Sequence, residues 1–204
     1  AYGFTFPLVT KSDGTKFGKS ESGAVWLDPL KTTPYDFYQY WINTADDDIV
    51  MRLKQFTFLP KETIEAFGEE VKSHPELRNA QKALAQELTV LVHGEAAWRE
   101  AVKISEALFQ GDIETLTADE IGLACKDLPR FEATADPLLV DVLVATGFAS
   151  SKREARDLVL SGAVAVNGQK VNALDAVVLK TAAVEGRYSI VRKGKKKYAL
   201  VSHM

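Results

Sequence analysis

Three short stretches carry residue types suited to phosphate chemistry. In Lys16-Phe17-Gly18-Lys19-Ser20 two lysines stand three residues apart, with a glycine before the second and a hydroxyl after it. Lysine brings mobile positive charge, glycine lets a backbone approach closely, and the hydroxyl adds a hydrogen bond, so the string could surround a triphosphate. Taken alone, it also fits a solvated surface loop. The second stretch, residues 151–156 (SKREAR), sets Lys152, Arg153 and Arg156 at a predicted helix start. Free backbone N–H groups and the helix dipole attract phosphate there, although the pattern also suits an ordinary helix start. The third is Arg192-Lys193-Gly194-Lys195-Lys196-Lys197. Five cations on a hairpin tip repel one another by roughly a few tenths of a kcal/mol per exposed pair. A polyanion that displaces counterions makes them favourable, while the bland alternative is a guard against edge-strand pairing.

These stretches need elements to hold them. Residues 4–10 are rich in β-formers, interrupted by Pro7, and predict a strand leading into a polar loop over residues 11–23. From Pro34 the apolar period becomes helical, through Tyr38, Trp41 and Ile42, then Ile49, Val50, Leu53 and Phe56, then Ile64, Phe67 and Val71. Leu77, Ala80, Leu84, Leu88 and Leu91 predict a long stripe that Gly94 ends, and Ala97, Ala101, Ile104 and Leu108 predict another. Thr117-Ala118-Asp119-Glu120 is a capping box. Residues 128–137 (LPRFEATADP) have two prolines and no period, and read as a hinge-like linker. Beyond them come two short helices, over 138–145 and 152–161. A hairpin follows around Asn167-Gly168, a dipeptide favouring a type I′ turn. A second hairpin carries the basic tip. The expected divisions are 1–34, 35–127, 128–137 and 138–201, with Ser202-His203-Met204 given no weight.

The chain has 204 residues, 46% hydrophobic and 26% charged, which predicts packed cores rather than disorder. Its net charge of −3 is unevenly spread. Residues 134–204 hold 11 Lys and Arg against 6 Asp and Glu, a net of +5, and the remainder carries −8. A polyanion is therefore expected at the C-terminal end. No apolar run approaches the roughly 18–20 residues of a membrane helix, and no secretory leader is read at the start. The single cysteine, Cys125, fits a reducing compartment and reads as a small buried apolar residue. His74 and His93 have no partner at metal-ligand spacing, so no protein-bound metal is expected. His93 before Gly94 suggests a helix-end cap, and Trp26, Trp41 and Trp98 read as core.

Residues 14–28 (GTKFGKSESGAVWLD) and 33–43 (TPYDFYQYWIN) resemble bacterial tyrosyl-tRNA synthetases. The string at 16–20 resembles the KMSKS loop of class I synthetases in its tyrosyl form, with Phe and Gly in place of Met and Ser. The resemblance continues through residues 91–95 (LVHGE) and 105–111 (SEALFQG) over essentially the whole chain. Residues 151–156, 163–167 and 192–197 resemble the S-four-like RNA-binding module of a ribosomal small-subunit protein. The implied fold is mixed α and α+β: a short remnant of a class I (Rossmann-like) catalytic domain, an all-helical anticodon-arm-binding domain, then a small S-four-like α+β domain.

That resemblance implies a cytoplasmic tyrosine–tRNA ligase. It would use ATP, with Mg as counter-ion, to activate tyrosine to tyrosyl-adenylate and then charge tRNA(Tyr). Lys16, Gly18, Lys19 and Ser20 would contact ATP, with Lys16, Lys19 and Ser20 stabilising charge on the departing pyrophosphate. Lys152, Arg153, Arg156, Arg192, Lys193, Lys195, Lys196 and Lys197 would hold RNA. In the family a HIGH-type signature, the tyrosine pocket and the homodimer interface precede the KMSKS loop. No H-x-G-H-like string occurs here, so the chain is expected to bind tRNA without catalysing alone. The alternative is a non-catalytic RNA-binding or adaptor protein built from the same domains.

Overall fold

The computed structural model describes residues 2–5, 8–10, 24–110, 112–194 and 197–204. Two compact units, Ala1–Ala101 and Val102–Met204, divide the chain, and the division falls inside one helix. The first unit is built from α1 (Pro34–Ile42), α2 (Asp46–Phe56), α3 (Lys61–Ser73), α4 (Asn79–His93) and the start of α5 (Glu95–Gln110). Thr33 caps α1 by accepting from the Asp36 N–H at 3.2 Å, and Pro34 occupies the first turn, where its missing N–H costs nothing. Helix α4 packs against α1, α2 and α3. Its buried face is Ala80, Gln81, Leu84, Ala85, Leu88 and Thr89. The predicted stripe is thus rotated. Leu77 sits in a 3₁₀ turn before α4, and Leu91 near its end is exposed. A helix with three neighbours buries a wider face than one stripe, and Gln81 enters it because its amide donates to Asp46 Oδ1 at 2.6 Å.

Arg52 is the largest fully buried side chain. Its guanidinium donates to the Thr10 carbonyl at 2.6 Å and to Gln55 Oε1 at 3.0 Å, and lies 3.7 Å from Asp48. Such partners are what make a buried cation tolerable. The predicted strand over residues 4–10 does not form among the residues described there, which have a single bridge at Thr10. Tyr2 and Phe4 are exposed. A single bridge does not make the continuous ladder that a strand requires.

The second unit is a five-stranded sheet with helices. Its elements are α6 (Ala118–Ala124), β1 (Arg130–Ala133), α7 (Leu139–Ala145), α8 (Lys152–Leu160), β2 (Val164–Val166), β3 (Gln169–Val171), β4 (Tyr188–Lys193) and β5 (Lys197–His203). The strand order is β1-β5-β4-β2-β3, with β1 parallel to β5 and the other pairs antiparallel. The β2–β3 turn has φ 47° at Asn167 and 81° at Gly168, both positive as a type I′ turn requires. One sheet face carries Val164, Val191, Ala199 and Val201 into a core with Leu139, Val142, Leu143, Ala155 and Val159 of α7 and α8. On the other face α6 packs against β4, and a Cβ on Gly122 would stand 3.5 Å from the Tyr188 ring. The Thr117–Glu120 capping box at α6 is complete in both directions.

Two expectations are corrected here. Residues 128–137 are not an open linker. Arg130–Ala133 forms β1 in register with Leu200 through His203, and the carbonyls of Pro129 and Pro137 accept from Leu200 and Val178 at 2.9 Å. Both prolines sit just outside the strand, where no N–H is required of them. Helix α6, assigned by sequence to the helical domain, falls in the compact unit of the sheet. The terminal residues also have structure: β5 runs to His203, and Met204 N–H donates to the Ala133 carbonyl at 3.0 Å.

His203 is buried with its ring 3.0 Å from Ser189 Oγ, and Asp136 and Lys180 act on it electrostatically. Burial holds its pKa below the ordinary imidazole value, against the upward pull of Asp136. The unfolded chain takes up this proton near pH 6.5, ahead of the folded one as pH falls. His203 therefore contributes stability that is full above about pH 6.5 and lost as pH drops through its depressed folded value. The chain's resistance to urea should fall as pH drops from about 7 through the depressed folded value, and His203→Gln should flatten that trend. Equal trends in both proteins would remove His203 as its cause.

Candidate nucleic-acid interface

Helix α8 begins at Ser151, whose hydroxyl accepts from the Glu154 N–H at 3.3 Å. The return bond that would complete a capping box is displaced by one residue. Glu154 Oε2 accepts from the Ser150 backbone at 2.8 Å and from its hydroxyl at 2.7 Å. Those bonds, backbone first, hold the Glu154 carboxyl below its usual range, with Lys193 adding to the effect. Glu154 therefore serves the helix start and stays ionised. Ala155 and Val159 face the core, which turns Arg153 and Arg156 outward one helical turn apart. Both arginines are exposed, and neither forms an ion pair among the described residues.

The remaining predicted cations separate by partner and by face. Lys152 pairs with Asp141 of α7 at 2.7 Å, a contact of about 0–1 kcal/mol at this exposure. The Lys193 ammonium donates to the Phe148 carbonyl at 2.5 Å and lies 3.9 Å from Glu154. It braces the α7–α8 turn against the sheet and is largely committed to that task. Lys197 is exposed and pairs in register with Lys193, so it shares the helix-bearing face. Arg192 precedes Lys193 in an extended strand, so the two side chains point to opposite faces. Among its described residues the tip thus does not present all its cations on the face of α8. Lys195 and Lys196 lie outside the described residues, as do Lys16, Gly18, Lys19 and Ser20 of the phosphate-loop string.

Arg192 instead shares a cross-strand row with Lys170. Register pairs Lys170 with Ala165, Ala165 with Arg192, and Arg192 with Tyr198. Lys170 was missed by sequence reasoning because it is an isolated cation in Gln169-Lys170-Val171. The Asn-Gly turn already placed it opposite Ala165, but Arg192 arrives only through the β2–β4 pairing.

Other sequence candidates resolve more simply. Cys125 is buried and its thiol is pushed up to about 11 by desolvation, so it is an apolar filler and not a nucleophile. His93 is no cap. Gly94 at φ 87° ends α4, while the His93 ring packs edge-on against Phe37 at 4.9 Å and burial lowers its pKa. Trp41 is buried, whereas Trp26 is half exposed with Lys31 over its ring at 4.3 Å. Among the described residues no group of three or more His, Cys, Asp and Glu is arranged to hold a metal ion, and no helix is long and apolar enough to cross a membrane.

A helical unit followed by an α+β unit, with exposed arginines at a capped helix start, defines the structural class. Comparison narrows that class. The family described as tRNA synthetases class I (W and Y) matches residues 1–110, and the tyrosine–tRNA ligase SYY-like C-terminal domain matches residues 120–201. The chain belongs to the class I tRNA synthetases, in their bacterial tyrosyl branch. It is 54% identical over 204 residues to a tyrosine–tRNA ligase of Geobacillus kaustophilus and 56% identical over 204 residues to tyrosine–tRNA ligase 1 of Bacillus cereus. Each alignment covers 100% of this chain and 49% of the relative, so the chain spans about half the length of the relatives it matches. Among solved structures, a tyrosyl-tRNA synthetase C-terminal domain is 41% identical at a TM-score of 0.39, covering 47% of this chain and 98% of that one.

The different bonding of these cations separates structural from recognition roles. Lys193→Ala should cost about 1–2 kcal/mol in stability, since it removes a charge-assisted bond to a backbone carbonyl. Arg153→Ala and Arg156→Ala should each stay within about 0.5 kcal/mol of the parent. Urea titration monitored by circular dichroism measures all three. A Lys193→Ala protein as stable as the parent would free that lysine for ligand contact.

Proposed function

We propose that the 204 residues are the tRNA-recognising part of a tyrosine–tRNA ligase. The observation that carries the reading is Arg153 and Arg156, exposed and without ion pairs among the described residues, at a capped helix start within residues 134–204, the stretch with a net charge of +5. Helix N-termini and arginines both favour phosphate, and neither reads base edges from this position. The RNA is tRNA(Tyr), held by shape and backbone along its anticodon stem and long variable arm. Helices α1 to α4 serve the anticodon arm, the sheet with α6, α7 and α8 forms the S-four-like module, and residues 1–34 belong to the catalytic domain. Lys195, Lys196 and Lys197 extend the contact.

The catalytic activity belongs to the longer, cytoplasmic, homodimeric enzyme. There a carboxylate oxygen of tyrosine attacks the α-phosphorus of ATP, and pyrophosphate leaves. A hydroxyl of the terminal tRNA ribose then attacks the adenylate carbonyl, and AMP leaves. Lys16 and Lys19 donate to the oxygens on which charge develops, Ser20 adds a hydrogen bond, and Gly18 lets the backbone approach. Magnesium enters as the counter-ion of ATP, with no ligand assigned on this chain.

Two assays test this. The chain alone should give no tyrosine-dependent pyrophosphate exchange, because groups that orient ATP and tyrosine are needed as well as the loop. In the longer enzyme Lys16→Ala should lower that exchange by about 10²-fold. Binding of transcribed tyrosine tRNA to the chain should weaken in Arg153→Ala/Arg156→Ala, with the salt slope of log K flattened by about 1–2. Lys16→Ala/Lys19→Ala should bind tRNA as the parent does. The reverse pattern would put the RNA on the other unit.

A further inference from the structure

The sheet face turned away from α8 carries a second pair of cations that the reading above does not require. Lys170 on β3 and Arg192 on β4 flank Ala165 of the intervening strand in one row. Directly paired residues stand about 5 Å apart at Cβ, which separates the two by about 10 Å. Both side chains are long enough to meet above the small, buried alanine between them. They line a cavity of about 440 Å³ with Phe109, Gly162, Ala163 and Gly194, and among the described residues its lining includes no carboxylate. Nothing lies within 4 Å of where a Cβ would stand on Gly162 or Gly194, so the backbone there is open to approach.

Charge balance separates this pair from the braced cations of the unit. Among the described residues Lys152, Arg187 and Lys193 of the same unit each have a carboxylate within 4 Å, at Asp141, Asp119 and Glu154. Lys170 and Arg192 have none. Two unneutralised cations on one cross-strand row repel each other, and a bound anion relieves that repulsion.

We propose that Lys170 and Arg192 form a second phosphodiester-binding site, on the opposite sheet face from Arg153 and Arg156. The proposal rests on the RNA-binding reading of this unit and adds a contact to it. Its ligand is a backbone phosphate of the bound RNA, positioned over Ala165. Arg192 reaches it from a central strand and Lys170 from the edge strand, which makes Lys170 the more accessible reporter.

The test uses the 204-residue chain and transcribed bacterial tyrosine tRNA in a salt titration. Lys170→Ala should weaken binding several-fold at about 0.15 M salt and reduce the slope of log K by about 0.7–0.9, one phosphate's worth. Lys170→Arg should restore both. Combined with Arg153→Ala, the slope losses should add, as for separate phosphates. Circular dichroism melts should match the parent, since the Lys170 side chain is exposed. Parent-like binding by Lys170→Ala, with loss in Arg153→Ala, overturns the second site and leaves RNA on the α8 face. No loss in either variant takes down both readings. Failure of Lys170→Arg to restore the slope would also overturn the proposal, because the contact would then not be one of charge.

Discussion

The pairing of β5 with β1 on one side and β4 on the other is what the second unit hangs on. Ala199, Leu200 and Val201 of β5 are completely buried, as are Ile190 and Val191 beside them on β4. A strand buried on both faces needs cover from both, and every backbone group it carries needs a partner. Helices α7 and α8 cover one face, and α6 packs on the other. The parallel strand β1 closes the edge that β5 would otherwise expose. With β5 in place, the β4–β5 hairpin tip has a fixed register and the side chains near it have fixed faces.

That fixed register decides which cations can meet a ligand. Alternation sends Arg192 to one face and Lys193 to the other, although they are neighbours in a basic run. Lys193 is then drawn into holding the Phe148 carbonyl beside α8, and Glu154 sits close enough to moderate its charge. Glu154 itself is kept ionised by Ser150. Basic residues thus fall into two groups, those that brace elements through carboxylates and carbonyls and those left facing solvent. Only the second group has charge available to a polyanion, because an ion pair must be broken before its cation can serve a phosphate.

The first unit uses buried polarity in a different way. Arg52 and Gln81 sit in its interior, each donating to a partner distant in sequence or one turn away. A guanidinium on the Thr10 carbonyl anchors the chain just before the stretch that carries Lys16 and Lys19. The cost of burying that charge is offset by directional bonds, which fix the geometry more tightly than an apolar contact would.

Much of this was legible in residue order. The helical periods from Pro34 onward, the Thr117–Glu120 box, the Asn167-Gly168 turn and the basic character of residues 134–204 are local or compositional signals. They survive into the structure because capping, turn chemistry and amphipathic period act over a few residues. The strand at 130–133 was not legible, since its partner lies some seventy residues later and its own four residues have no decisive pattern. The same holds for Gln81 within the α4 core, for the exposed Leu91, and for Ser202 and His203 within β5. Lys170 gained significance only when β2 paired with β4 and set Arg192 across from it. Sequence by itself determined the elements, their caps and where positive charge accumulates. Tertiary structure decided which of those charges remain unpaired and which face they occupy, because strand register and ion pairing depend on residues far apart in the chain.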